Sequence, residues 1–244
     1  MGKVAVSVNL PEWLHSALRR TKRALSPQKN GFIIDLSGDR EVEYSFIASR
    51  LPVGPGHLLD FGCGFGTLSM HALQRGWNVT GIDLLAYPIR WKHHNFSFIR
   101  ADFLELSVEP ASFDVVLNCS AVEHVGLPGR YDVNAPEQDD DLRAMRKMRE
   151  LLKPGGLMLM TIPAGHDAVI APFHRVYGEQ RLPRLLEGFQ INEQCYWVKD
   201  KENCWVLSTR DTALQCVATG GWTEVSHCSY ALACLVLSKP MQES

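Results

Sequence analysis

The densest chemistry in the 244-residue sequence lies in one run, His57-Leu58-Leu59-Asp60-Phe61-Gly62-Cys63-Gly64-Phe65-Gly66-Thr67-Leu68. An apolar stretch runs into an acidic residue, then into three glycines at alternate positions, then into a helical segment. Glycines let the chain turn sharply and let a ligand approach the backbone, and the first N–H groups of the following helix are available to it. This predicts a nucleotide-like ligand at the switch point of a parallel sheet. Spacing narrows the ligand. The dinucleotide fingerprint G-x-G-x-x-G, counted from Gly62, needs a small residue where the sequence has Thr67. The pattern D-x-G-x-G-x-G fits throughout, and its Asp60 would repel a pyrophosphate and welcome a cation.

With that loop the chain resembles the class I S-adenosylmethionine-dependent methyltransferases, over most of residues 51–240. Their cofactor carries a sulfonium and an ammonium and no phosphate, which agrees with the acidic turn. The resemblance implies that Asp60, Gly62, Cys63, Gly64 and Gly66 form the cofactor loop. Val79-Thr80-Gly81-Ile82-Asp83-Leu84 is similar to the end of the family's second strand, where Asp83, with Leu84 beside it, would accept hydrogen bonds from both ribose hydroxyls. Phe98-Ile99-Arg100-Ala101-Asp102-Phe103 is similar to the third-strand motif, so Asp102 would bind the adenine amino group with Phe103 beside the ring. Phe113-Asp114-Val115-Val116-Leu117-Asn118 is similar to the fourth strand, which places Asn118 by the methyl donor. Leu152-Lys153-Pro154-Gly155-Gly156 is similar to the turn into strand five. Singly, Asp83 and Asp102 also read as ordinary strand-end turn residues.

The segments Ser120–Leu127, Arg130-Tyr131 and His174–Gly178 resemble a bacterial subgroup associated with polysaccharide and natural-product gene clusters. That implies methylation of a small molecule, at an oxygen of a sugar-containing or natural-product acceptor. Nitrogen or carbon methylation, and a catalytically inactive binding protein, are the alternatives. Methyl transfer is an in-line displacement at the sulfonium carbon, and the enzyme must align the nucleophile and often take its proton. Histidine suits that near neutral pH. His124, just past strand four, is the leading base, with Glu123 as an alternative base or the group that orients the imidazole; His124 also reads as a structural residue bonded to its loop. Tyr131, His166, His174 and Tyr177 are the expected substrate contacts. His124, His166, His174 and Asp132 show no recognisable ligand spacing, so no metal is expected. Arg130, Arg175, Arg181 and Arg184 read as surface charges or as holders of a substrate anion. A nicotinamide oxidoreductase is disfavoured by Thr67 and by the absence of a Tyr-x-x-x-Lys pair.

The elements needed to position these residues are legible in outline. Strands are predicted over 57–61, 78–82, 96–100, 113–118 and 156–162, with helices over 66–75, 86–92 and 139–152. The last of these opens on Asp139-Asp140-Asp141, which complements the positive end of the helix dipole, and stops at Lys153-Pro154-Gly155-Gly156. Beyond Pro163 the pattern predicts a polar loop, a helix over 178–187, a strand over 189–198, a short helix over 210–216 and a final strand over 229–237. The expected fold is α/β: a Rossmann-like doubly wound sheet, mostly parallel with an antiparallel last strand and helices on both faces. Residues 1–50, with a basic amphipathic helix over 11–25 and a second helix ending before Pro52, form a helical cap on a methyltransferase domain over 51–244, within a single structural domain.

Composition agrees with this outline. The chain is 45% hydrophobic and 21% charged with a net charge of -2, which excludes disordered and collagenous classes and gives no drive toward nucleic acid. Its seven cysteines lack any C-x-x-C pair, as expected of free thiols in a reducing, cytoplasmic setting. No segment reaches the length of a membrane span. A small-molecule substrate is the expected partner, and a homodimer is left open.

Overall fold

The computed structural model describes residues 39–129, 137–171, 173–218 and 230–241. These fall within one compact unit, Leu36–Ser244. The helix predicted over 11–25, together with Arg130, Tyr131 and Asp132, lies outside the described residues.

An eight-stranded sheet carries the site, in the order β3-β2-β1-β4-β5-β10-β8-β9. Its parallel half consists of β1 (His57–Phe61), β2 (Asn78–Asp83), β3 (Phe96–Arg100), β4 (Phe113–Cys119) and β5 (Leu152–Ala164). β8 (Gln190–Lys199), β9 (Trp205–Ser208) and β10 (Ala231–Ser238) complete it, with β10 antiparallel to both β5 and β8. The antiparallel last strand therefore lies inside the sheet, whose edges are β3 and β9, the latter pairing antiparallel with β8. β9 was missed because it is a four-residue run within a polar stretch.

The central strands β1, β4, β5 and β10 are buried on both faces, and successive residues serve opposite layers. Leu58, Val115, Leu117 and Leu159 pack with helices α1 (Asp39–Arg50) and α2 (Thr67–Gln74) through Phe46, Ile47, Leu68 and Ala72. Leu59, Val116, Met158 and Met160 pack with α3 (Asp140–Leu151) and α4 (Arg181–Leu185) through Leu142, Met145, Met148, Leu182 and Leu185. A short α5 (Arg210–Leu214) packs near β8 and β10.

Three local expectations need correction. Residues 86–92 are not helical. Pro88 pushes the residue before it out of the helical region, and Trp91 turns back to pack on Phe96, with ring centroids 4.6 Å apart. The polar loop after Pro163 contains a hairpin, β6 (Ala168–Ile170) with β7 (His174–Val176). Lys153–Gly156 belongs to β5 instead of forming a separate turn, because Gly155 N and Lys239 N bond to the carbonyls of Lys239 and Gly156 at 2.9 Å each. Among the described residues no helix is long and apolar enough to cross a membrane.

Candidate active site

The carboxyl ends of β1, β2 and β4 and the turn after β3 open on a cleft of about 360 Å³. Its floor is the glycine loop. The N–H groups of Gly62 and Cys63 donate to the Ile82 carbonyl at 2.9 and 3.2 Å, which seats the loop against β2. Gly62 has φ +66°, and a Cβ there would lie 2.4 Å from that of Ala121, so only glycine fits between the first and fourth strand ends. Gly64, at φ +52°, has open space where a side chain would be and exposes its backbone to the cleft. Its N–H donates to Asp83 Oδ2 at 2.9 Å, and Leu85 N–H donates to Asp83 Oδ1 at 2.9 Å. Asp83 is thereby fixed at the cleft wall.

Asp60 is buried at the end of β1 and accepts from Ser69 Oγ at 2.6 Å. Burial pushes its carboxyl up to about 6, with the Asp83 charge adding to the effect and the Ser69 bond opposing it. Burial, then Asp60 and Asp83, also raise the Cys63 thiol, so it stays protonated. Asp102 accepts from Leu104 N–H at 2.9 Å. Phe103 packs on Phe61 with centroids 4.8 Å apart, and Lys147 Nζ stands 5.1 Å over its ring. Asp60, Gly62, Cys63, Gly64, Asp83, Leu84, Asp102 and Phe103 all line this cleft.

Two residues expected at the cofactor support it from behind. Gly66 is the N-cap of α2. Asn118 is fully buried and accepts from Val122 N–H at 3.0 Å, starting the 3-10 turn Val122–His124; its Nδ2 has no hydrogen-bond partner among the described residues.

His124 lines the cleft from that turn. Its Nδ1 is 2.6 Å from the Phe173 carbonyl, which can only accept, so Nδ1 carries the hydrogen and neutral imidazole keeps its lone pair on Nε2. The buried Glu123 places Oε1 3.7 Å from Nε2. The other predicted contacts separate. Tyr177 is fully buried and donates to Asp141 Oδ2 at 3.0 Å, so the structure places it in the core instead of at a substrate. His166 is exposed and lines a different hollow with Asp167, Glu179 and Gln180. His174 sits edge-on to His124 at 6.5 Å and to Tyr230 at 5.2 Å, outside the cleft lining. Of the four arginines, Arg175 is buried, while Arg181 and Arg184 pair with Asp139 and Asp141.

Several cleft residues escaped the sequence. Arg40 and Tyr44 reach it from α1, Ser120 from the end of β4, and Arg143 from α3. Behind them the fully buried Glu43 accepts from Ser120 Oγ, from Thr161 Oγ1 at 2.8 Å and from Arg40. Ser120 has φ +43°, rare for a non-glycine residue and found where a site constrains the backbone. The helical pattern of residues 43–50 was readable, but nothing in it showed which sheet face the helix meets.

The chain is 32% identical over 156 residues to the ubiquinone biosynthesis O-methyltransferase of Pseudomonas aeruginosa (strain UCBPP-PA14), covering 60% of this chain and 62% of that relative's length. It is 31% identical over 185 residues to the protein of the same name from Xanthomonas campestris pv. campestris (strain B100), covering 72% of this chain and 71% of the relative. Its fold matches the Burkholderia thailandensis 1,6-didemethyltoxoflavin-N1-methyltransferase solved with 1,6-didemethyltoxoflavin and S-adenosylhomocysteine, with a TM-score of 0.53 at 17% identity over 97% of this chain and 93% of that one. Sheet, cleft and relatives together define a class I S-adenosylmethionine-dependent methyltransferase. Within that class the chain belongs to the family described as "Caenorhabditis protein of unknown function, DUF268", whose model matches residues 67–217.

Proposed function

We propose that the chain transfers a methyl group from S-adenosylmethionine to an oxygen of a small-molecule acceptor, with His124 as general base. The observation that carries the reading is the His124 imidazole, which lines the cleft with its Nδ1 held 2.6 Å from the Phe173 carbonyl. Asp83 and Asp102 suit the ribose hydroxyls and the adenine amino group, and Asp60 suits the cationic end of the cofactor. Arg40, beside Ser120, suits the carboxylate of its methionyl end. Glu123 would steady the imidazolium that forms when the acceptor hydroxyl loses its proton. As the nucleophilic oxygen bonds to the methyl carbon, the C–S bond breaks, its electron pair stays on sulfur, and S-adenosylhomocysteine leaves. The O-methyltransferase relatives support oxygen as the acceptor atom.

Calorimetry with S-adenosylhomocysteine tests the cofactor assignment: wild type binds, and Asp83→Ala loses most of that affinity. Labelled S-adenosylmethionine offered with phenols, catechols, sugars and amines tests the acceptor. Label on an amine alone overturns the oxygen assignment. A His124→Ala variant that binds cofactor normally and keeps wild-type transfer removes His124 as base.

A further inference from the structure

The β6–β7 hairpin forms a two-stranded sheet of its own, and β7 with the residue before it grips the His124 turn at three points. Phe173 takes the ring N–H through its carbonyl. Two residues on, Arg175 is only 2% exposed, and its Nη1 donates to the carbonyls of Glu123, at 3.4 Å, and Val125, the residues on either side of His124. Its Nη2 donates to the Gln138 carbonyl at 3.2 Å, and its Nε lies 3.7 Å from Asp141 Oδ2.

Burying a guanidinium is costly unless its donors are met, and replacing a whole buried ion pair with apolar side chains often leaves stability unchanged or improved. The planar fork of Arg175, with five donors in fixed directions, reaches two carbonyls of one turn at once, which the single ammonium of lysine does less well.

We propose that Arg175 is a positioning residue for His124, an inference that rests on the reading of His124 as the base. By holding carbonyls 123 and 125, Arg175 fixes the turn so that the Phe173 carbonyl stays within reach of Nδ1. That bond keeps the ring proton on Nδ1 and the lone pair on Nε2. Arg175 touches no reacting atom; it acts through the orientation and tautomer of the imidazole. Outward-acting supports of this kind tune a ring in the way that partners of metal-bound histidines do.

The test is nitrogen NMR of the full chain with 15N-labelled histidine in mildly alkaline buffer, comparing wild type, Arg175→Lys and Arg175→Met, with His124 assigned by the peak missing from His124→Ala. In both Arg175 variants Asp141 keeps its bonds to Arg181 and Tyr177, so no carboxylate is left unpaired. Wild type is expected to show one tautomer, protonated at Nδ1. Both variants are expected to show averaged ring nitrogens while binding S-adenosylhomocysteine within about twofold of wild type, since Arg175 itself is not among the residues that line the cleft. A folded variant that keeps the single Nδ1–H tautomer overturns the proposal. So does a wild-type ring protonated at Nε2, a result that needs no variant to fold. Failure of the base reading appears elsewhere, as unchanged transfer in His124→Ala, so the two failures are separable.

Discussion

Asp60 couples protonation to both folding and ligand binding. Its carboxyl, held at about 6 by burial, takes up a proton more readily in the folded chain than in the unfolded one. Native protein therefore binds more protons, and this group's contribution to stability is present in acid and is lost as pH rises through about 6. The full swing is about 3 kcal/mol. Urea unfolding of Asp60→Asn should show a shallower loss of stability over that range. A cationic ligand reverses the sign, since it prefers the ionised carboxylate: affinity for S-adenosylmethionine should climb as pH passes through about 6, and calorimetry of Asp60→Asn should show a flatter curve. Gly62→Ala makes a steric test of the same loop. A methyl group 2.4 Å from Ala121 Cβ at φ +66° should cost about 1–3 kcal/mol in stability and weaken cofactor binding, as melting and calorimetry would show. That Asp60, Gly62, Gly64, Asp83 and Asp102 would meet at one cleft was legible in the sequence because each lies at a strand end or in the turn beside it. Tyr177 was misread through nearness to His174. Along an extended segment alternate side chains point apart, so Arg175 and Tyr177 both turn toward Asp141 while His174 faces His124 and Tyr230.

At the scale of elements, the sheet and the two flanking helix layers followed from apolar runs and their caps. The pieces that escaped are short or set by distant partners: β9, the β6–β7 hairpin, and the docking of α1. That docking is the more consequential, since Glu43 joins α1 to the ends of β4 and β5. Glu43→Ala strips an acceptor from Ser120, Thr161 and Arg40 together. The expected loss is about 3 kcal/mol by urea unfolding, with weaker cofactor binding because Arg40 and Ser120 line the cleft. The pair between Arg50 and Glu193 at the end of the same helix is a useful contrast. Both side chains are partly exposed, at 31% and 40%, and removing that pair should cost under about 1 kcal/mol.

At the scale of the whole molecule, a ligand bound only by the folded chain raises global stability by mass action. S-adenosylhomocysteine at about 100 times its Kd should add about 2.7 kcal/mol. For a chain of 244 residues that is a rise of roughly 5–10 °C in Tm, which thermal melting would read and Asp83→Ala should abolish. The position of β10 bears on how the molecule comes to be made. The strands that shape the cleft emerge early from a ribosome, but residues 231–238 fill the slot between β5 and β8. Until they are synthesised, the apolar β5 and the more polar β8 each present a bare hydrogen-bonding edge, the condition under which nascent chains pair with one another. The last strand thus acts as a closing wedge, and vectorial synthesis leaves the sheet split until it arrives.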